Sequence, residues 1–433
     1  MPAANSSGFE IFASTAPGLE SITAGELKSL GIRGRQEPGG VAFGGDLERI
    51  YRTNLWLRTA SRVIVRLGRF HASTFFELER RAKKLPWEIF LPPTGDVRLR
   101  VTCRKSKLYH SDAVAERVLA AIAASALRQV GVRAESSDGD AVDDDLSADS
   151  AKRSSPSQLY VVRIVHDECE ISADTSGELL HRRGYRQEIA KAPLRETIAA
   201  AMVLASGWKG ESPLLDPMCG SGTIPIEAAM VARKIAPGAR RRFQFMDWPG
   251  FDGQLWREIM SEADAVATEE HLEIAGFDRD AGAIQAATKN AERAGVAQVL
   301  KFGVEAVSGS IRAIEDPSRE RGWILTNPPY GVRVGVAGDL RNLYATLGAP
   351  LAKKPEWRLG VLTSDSALVY NTGLKMRARF STSNGGIPVA FFVSEGGGSE
   401  PPRGPLAGEP RGRKGAAPRR GKRRGQPKGR RHD

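Results

Sequence analysis

The chain has 433 residues, of which 41% are hydrophobic and 26% charged; this is enough for two or three domain cores and excludes a peptide-scale, fibrous or wholly disordered protein. Its formal charge of +12 is unevenly placed, because residues 400–433 carry a net +9 while residues 134–151 hold seven acids and no Lys or Arg. A polyanionic partner is therefore expected for both the body and the tail.

In chain order, residues 8–15 (GFEIFAST) read as a strand, 19–31 as an amphipathic helix closed by Gly31, 41–45 as a strand and 46–60 as a second helix, together a small α+β unit. A strand at 63–70, a helix at 75–85, a strand at 97–104, a helix at 113–131 and one strand at 158–175 (QLYVVRIVHDECEISADT) follow. Between the last two, an Asp- and Ser-rich stretch is too polar to order itself and is expected to be a disordered insertion. After His181-Arg-Arg-Gly-Tyr-Arg186 comes a helix with an Ala/Leu/Met face. From Leu214 strands alternate with helices, which predicts a parallel α/β sheet: strands at 213–216, 272–278, 299–304, 322–327 and 358–364, helices from Thr223 and Ala281, and a closing hairpin at 376–395 that adds antiparallel strands at the edge. Past Gly396 the chain is dominated by Gly, Pro, Arg and Lys and is expected to be a disordered basic tail, serving either phosphate attraction or solubility.

No apolar run is long enough to span a bilayer, and Met1-Pro2-Ala3 does not open a secretory signal, so the expectation is a cytoplasmic protein without a membrane partner. Cys103, Cys169 and Cys219 are widely spaced, and the six histidines form no HExxH pattern or Cys/His cluster. Neither a disulfide framework nor a metal site is expected.

Three stretches carry chemistry. Asp216-Pro-Met218-Cys-Gly220-Ser-Gly222-Thr223 places an acid and two glycines between a strand and a helix, the form of a nucleotide-cofactor cradle, although a plain strand-to-helix turn has the same form. LEIAGFDRD puts Asp278 at the end of the next strand, where dinucleotide folds hold ribose hydroxyls; capping of the following helix by Asp278 or Asp280 is the competing account. Gly322-Trp-Ile-Leu-Thr-Asn327-Pro328-Pro329-Tyr330-Gly331 ends a strand in an amide, two prolines and an aromatic ring. Rigid acceptors at Asn327 and the Pro328 carbonyl suit an exocyclic amino group whose nitrogen must face an electrophilic methyl, with Tyr330 stacking on the base.

In this order DPMCGSGT, AGFDRD and TNPPYG resemble motifs I, II and IV of class I S-adenosylmethionine-dependent methyltransferases. Upstream, FASTAPGLESITAGELKSLG, RLRVTCRKSKLYHSDAVAERV, HRRGYR and APLRET resemble THUMP-domain-containing guanine-N2 RNA methyltransferases, nearest in arrangement to the N-terminal half of the bifunctional bacterial large-subunit ribosomal-RNA enzymes. The resemblance covers roughly residues 9–395. It implies an α/β chain: a ferredoxin-like subdomain at 9–70, a THUMP-like RNA-binding domain at 71–174 with an insertion at about 134–157, a linker at 175–190, a Rossmann-like methyltransferase domain at 191–395 and a basic tail at 396–433.

The implied cofactor is S-adenosyl-L-methionine, held by Asp216, Met218, Gly220, Gly222, Thr223, Asp278 and Asn327, with Asn327, Pro328, Pro329 and Tyr330 receiving the base. The family usually places an Asp near the adenine where this chain has Glu305-Ala306. In the THUMP-like part, Arg104, Lys105 and Lys107 are candidate phosphate contacts and Tyr109 a stacking residue, with a solvated charged loop as the alternative. Arg182, Arg183 and Arg186 are either an RNA surface or a linker docked near the cofactor. The implied substrate is structured RNA, ribosomal RNA ahead of transfer RNA. The rivals are a DNA adenine-N6 methyltransferase and a non-catalytic RNA-binding assembly factor.

Overall fold

The computed structural model describes residues 8–93, 96–126, 131–136, 157–187, 194–269, 272–330 and 337–395. Its first part runs β1 (Phe9–Thr15), α1 (Glu20–Ser29), β2 (Arg35–Glu37), β3 (Gly40–Gly45), α2 (Leu47–Trp56), β4 (Ala60–His71), α3 (Phe75–Ala82), β5 (Asp96–Arg104), α4 (Ser111–Ala126), β6 (Gly131–Ser136), β7 (Ser157–Val165) and β8 (Glu168–Asp174). These strands form one sheet in the order β2-β3-β1-β4-β8-β7-β5-β6. The two units expected at 9–70 and 71–174 therefore share a sheet, joined where β4 pairs antiparallel with β8, Ile64 opposite Asp174. Alternation sends Ile11 and Ala13 of β1, Val41 and Phe43 of β3 and Val63 and Val65 of β4 into the core beside Tyr51 and Trp87. Asp46 and Thr74 start α2 and α3 by accepting the amides of Arg49 and Glu77.

Two expectations are corrected here. The single strand at 158–175 is a hairpin, β7 and β8, turning at His166 and Asp167, whose φ values are 52° and 65°. No glycine marks that turn; it holds because Asp167 accepts from the Ser106 hydroxyl and the Lys107 amide, both at 2.7 Å. The helix expected to reach 131 is described over Ser111–Ala126, residues 127–130 lie outside the described residues, and residues 131–136 pair parallel with β5 in place of a helix end at 131. The insertion expected from about 134 thus begins beyond that ladder; its residues 137–156 and the tail at 396–433 lie outside the described residues.

The second part runs α5 (Glu196–Ser206), β9 (Leu214–Asp216), α6 (Thr223–Ala232), α7 (Gly253–Val266), β10 (Ile274–Asp278), α8 (Ala281–Ala294), β11 (Leu300–Val304), α9 (Val307–Ser310), β12 (Gly322–Thr326), α10 (Ala337–Gly348), β13 (Trp357–Thr363), β14 (Met376–Asn384) and β15 (Ile387–Ser394). The sheet order is β11-β10-β9-β12-β13-β15-β14, parallel from β11 to β13 and antiparallel at β15 and β14. Strand order turns back at β9, between β10 and β12, and a ligand in such a sheet binds beyond the strand carboxyl ends at that point. No described helix is long and apolar enough to cross a membrane.

The segment between α6 and β10 was not read as a distinct element from sequence, and it packs on the other sheet. Ala236, Phe243, Phe245, Trp248, Ile259 and Ala263 join the core of Tyr51 and Trp87. The rings of Tyr51 and Phe245 stack with centroids 4.4 Å apart, and the Asp252 amide donates to the Tyr51 hydroxyl at 3.0 Å. One such aromatic pair contributes about 0.5–1.5 kcal/mol beyond its burial.

Candidate active site

Leu214, Leu215 and Asp216 form a short, fully buried central strand. The Asp216 carboxylate accepts from the Thr326 hydroxyl at 2.7 Å and the Met218 amide at 3.1 Å, locking the end of β9 to the end of β12. Burial pushes this carboxyl up to about 7; the Thr326 and Met218 hydrogen bonds oppose the rise, and the nearby charge of Asp278 adds to it. Asp216 therefore holds the turn from beneath, with Oδ1 engaged by both protein donors.

Above it, the Cys219 amide donates to the Phe277 carbonyl at 2.9 Å and the Gly220 amide donates to Asp278 at 3.0 Å. Gly220 and Gly222 have φ of 52° and 84°, the left-handed region that side chains resist. At Gly222 a Cβ would also sit 3.0 Å from Cβ of Ala287 and 3.2 Å from the Phe302 ring, whereas at Gly220 a Cβ would meet nothing within 4 Å. Gly222 lets α6 pack on α8 and β11, and Gly220 leaves open space over the turn.

At the end of β10 the capping question resolves. Asp280 caps α8, accepting from the Gly282 and Ala283 amides, while Asp278 faces the turn and accepts from Gly220 and from the Asp280 amide at 3.0 Å. Glu305, which follows β11, is exposed, and its amide donates to the Asp278 carbonyl at 2.9 Å. Thr223 opens α6 and accepts from Arg186 at 2.8 Å; Arg186 also donates to the Leu194 carbonyl and pairs with Glu196 at 3.0 Å. Arg183 is buried, donating to the carbonyls of Leu180 and Arg58 and pairing with Glu227 of α6 at 3.4 Å, while Tyr185 donates to the same Glu227 at 3.0 Å. Arg183 thus ties the segment before β4 to α6, and Arg186 ties its own segment to the starts of α5 and α6, so both sit in a docked linker and not on an RNA surface.

Beyond β12, Asn327 is half-buried and its Oδ1 is enclosed without a hydrogen-bond partner among the described residues. Pro328 is buried, Pro329 is exposed and Tyr330 is half-buried, its hydroxyl accepting from Asn384 Nδ2 at 2.8 Å. Asn384 was not found from sequence: it lies 54 residues on, at the end of β14, and no local pattern links it to Tyr330. Gly331 lies outside the described residues. The structure brings Asp216, Met218, Gly220, Gly222, Thr223, Asp278 and Asn327–Tyr330 to the carboxyl ends of β9, β10 and β12. Arg104 ends β5 of the other sheet, and Lys105, Lys107 and Tyr109 lie in the exposed loop after it; Tyr109 is 68% exposed.

An open space over a glycine turn, a carboxylate at its rim and an unpaired acceptor beyond the next strand fit a nucleoside cofactor that presents a group to an amine. Residues 183–388 match the RMKL-like methyltransferase domain, and residues 10–64 match the RlmL ferredoxin-like domain. The chain is 35% identical over 393 residues to "Putative RNA methyltransferase slr0064" of Synechocystis sp., covering 89% of this chain and 96% of that one. It is 33% identical over 414 residues to "Ribosomal RNA large subunit methyltransferase K/L" of Syntrophotalea carbinolica, covering 92% of this chain but 56% of that one. It therefore spans about half the length of the K/L protein. Among solved structures, "SMU.472, a putative methyltransferase complexed with SAH" superposes with a TM-score of 0.78 at 31% identity, over 91% of this chain and 100% of that one.

Proposed function

The chain belongs to the RlmL-like family of S-adenosylmethionine-dependent methyltransferases, and on that premise we propose that it methylates the exocyclic N2 amine of a guanosine in structured RNA, with ribosomal RNA as the substrate. The observation that carries this reading is the Asn327 Oδ1, a buried acceptor without a partner among the described residues, at the strand end next to the glycine turn. A buried unpaired acceptor costs about 1–3 kcal/mol, which an incoming N–H recovers.

Asp216, through Thr326 and Met218, holds the turn; Gly220 and Gly222 let the backbone approach the cofactor's methionine end; Asp278 accepts from the ribose hydroxyls. Held by these residues, S-adenosylmethionine would supply an electrophilic methyl, the N2–CH3 bond forming as the S–CH3 bond breaks and one N2 proton passing to water. Asn327 Oδ1 and the Pro328 carbonyl each accept one N2–H, which turns the nitrogen lone pair away from both and towards the methyl. Tyr330, its hydroxyl fixed by Asn384, supplies a ring beside the base. Rate enhancement comes from orientation and electrostatics, with no nucleophilic side chain. The exposed basic loop with Lys105, Lys107 and Tyr109 supports RNA as the polyanion.

The test is to incubate the purified protein with labelled S-adenosylmethionine and unmodified ribosomal RNA, transfer RNA or DNA, and to identify the modified nucleoside by mass spectrometry. N2-methylguanosine in ribosomal RNA is the expected product. The same nucleoside in transfer RNA alone would shift the substrate; N6-methyladenine in DNA, or no product with any of the three, would overturn the reading.

A further inference from the structure

Strand β14 runs parallel to β13 because β15 pairs antiparallel with both, so Asn384, its last residue, arrives at the carboxyl end of the sheet together with Asn327 and Tyr330. Asn384 is 6% exposed. Its Nδ2 donates to the Tyr330 hydroxyl, and its Oδ1 is enclosed without a partner among the described residues. The hairpin turn does not account for this side chain: the left-handed conformations it needs belong to Gly385 and Gly386, at φ of 58° and 80°. Of the two unpaired enclosed acceptors, Asn384 Oδ1 belongs to a side chain bonded to the Tyr330 hydroxyl, and Asn327 Oδ1 lies three residues before Tyr330.

We infer that Asn384 is a specificity-determining residue whose Oδ1 accepts the N1–H of the target guanine while Asn327 takes the N2 amine, an inference that rests on the guanine-N2 reading above. The Watson–Crick edge of guanine presents N1–H and N2–H2 as neighbouring donors, the complement of two acceptors. Adenine presents a lone pair at N1, which would face the Asn384 oxygen and leave both acceptors unsatisfied. Asn384 also braces Tyr330, so a substitution there has a positioning effect and a recognition effect that must be separated.

The experiment uses an RNA fragment carrying, at the guanosine that the wild-type protein modifies, either guanosine or 2-aminopurine. The analogue keeps the C2 amine, exchanges N1–H for a lone pair and lacks O6, so the change in preference on substituting Asn384, and not the wild-type preference alone, assigns the effect to N1. Wild type is expected to prefer guanosine by about 10- to 100-fold in kcat/KM, the range that one unsatisfied buried acceptor implies. Asn384→Leu, similar in size, should lose most of that preference, whereas Asn384→Asp, which keeps an acceptor, should retain it. S-adenosylhomocysteine affinity by calorimetry should be the same in all three, which shows that the fold is intact. Equal loss on both substrates in Asn384→Leu, or no preference in wild type, would overturn the inference and leave Asn384 as a brace for Tyr330. Absence of N2-methylguanosine from every wild-type reaction would instead remove the guanine-N2 reading itself, and it is read from wild type alone.

Discussion

The Gly220 amide lies 3.0 Å from the Asp278 carboxylate, so the glycine turn after β9 and the acid ending β10, 58 residues apart, form one cradle. Asp278 has a second engaged oxygen, on the Asp280 amide, and both contacts are with backbone donors. Asp278→Ala is expected to weaken cofactor binding by about 10- to 100-fold, the value of hydrogen bonds to a charged group. Calorimetry with S-adenosylhomocysteine measures this directly; unchanged affinity would remove Asp278 from the site.

Asn327→Ala removes an acceptor that has no partner among the described residues. Cofactor affinity should stay within about two-fold, while kcat falls by about 100- to 1000-fold, the usual cost of deleting a preorganised group at the reacting centre. Turnover on the modified RNA, compared with calorimetry, separates the two. A fall confined to KM would assign Asn327 to binding alone.

Asp216 should make folding pH-dependent. A carboxyl pushed up to about 7 by burial holds its proton better in the folded chain than in the unfolded one, where it titrates near 3.8. The penalty is therefore absent below about pH 4, grows as pH rises through that window and is complete above about pH 7, where it amounts to about 4 kcal/mol. Asp216→Asn keeps an acceptor for Thr326 and Met218 without the charge. Relative to wild type, its melting temperature should rise steadily between pH 4 and pH 7, as followed by scanning calorimetry. A constant difference across that range would contradict the assignment.

Lys105 and Lys107 lie in the exposed loop after β5, which is ordered by Asp167. Replacing each by Glu should weaken RNA binding roughly uniformly across sequences and lower the salt slope of log K by about two, one for each lost phosphate contact. Filter binding at several salt concentrations reads the slope. An unchanged slope would make this a solvated loop.

Local patterns made much of this legible. The strand endings at Asp216, Asp278 and Asn327 are each written within ten residues, as an apolar run followed by turn residues, and the structure places all three at neighbouring strand ends. The hairpin at 376–395 was legible for the same reason. The turn at His166 and Asp167 was not, because its two left-handed residues are not glycines and its support comes from Ser106 and Lys107, some 60 residues away. The docking of Phe243, Phe245 and Trp248 on the first sheet was equally hidden, since an aromatic cluster in sequence does not say which core it enters.

By itself the sequence determined the order along the chain of the strands in the second sheet, the glycine turn, the acid after it and the Asn-Pro-Pro-Tyr loop, because periodicity and turn chemistry act over a few residues. Tertiary structure alone decided that Asp280 caps the helix and leaves Asp278 to the turn, that the buried Arg183 and the half-buried Arg186 are engaged within the fold and are not an RNA surface, and that Asn384 stands against Tyr330. Each of these is a hydrogen bond between groups distant in sequence or a choice between two adjacent acids, and only packing sets which donor reaches which acceptor.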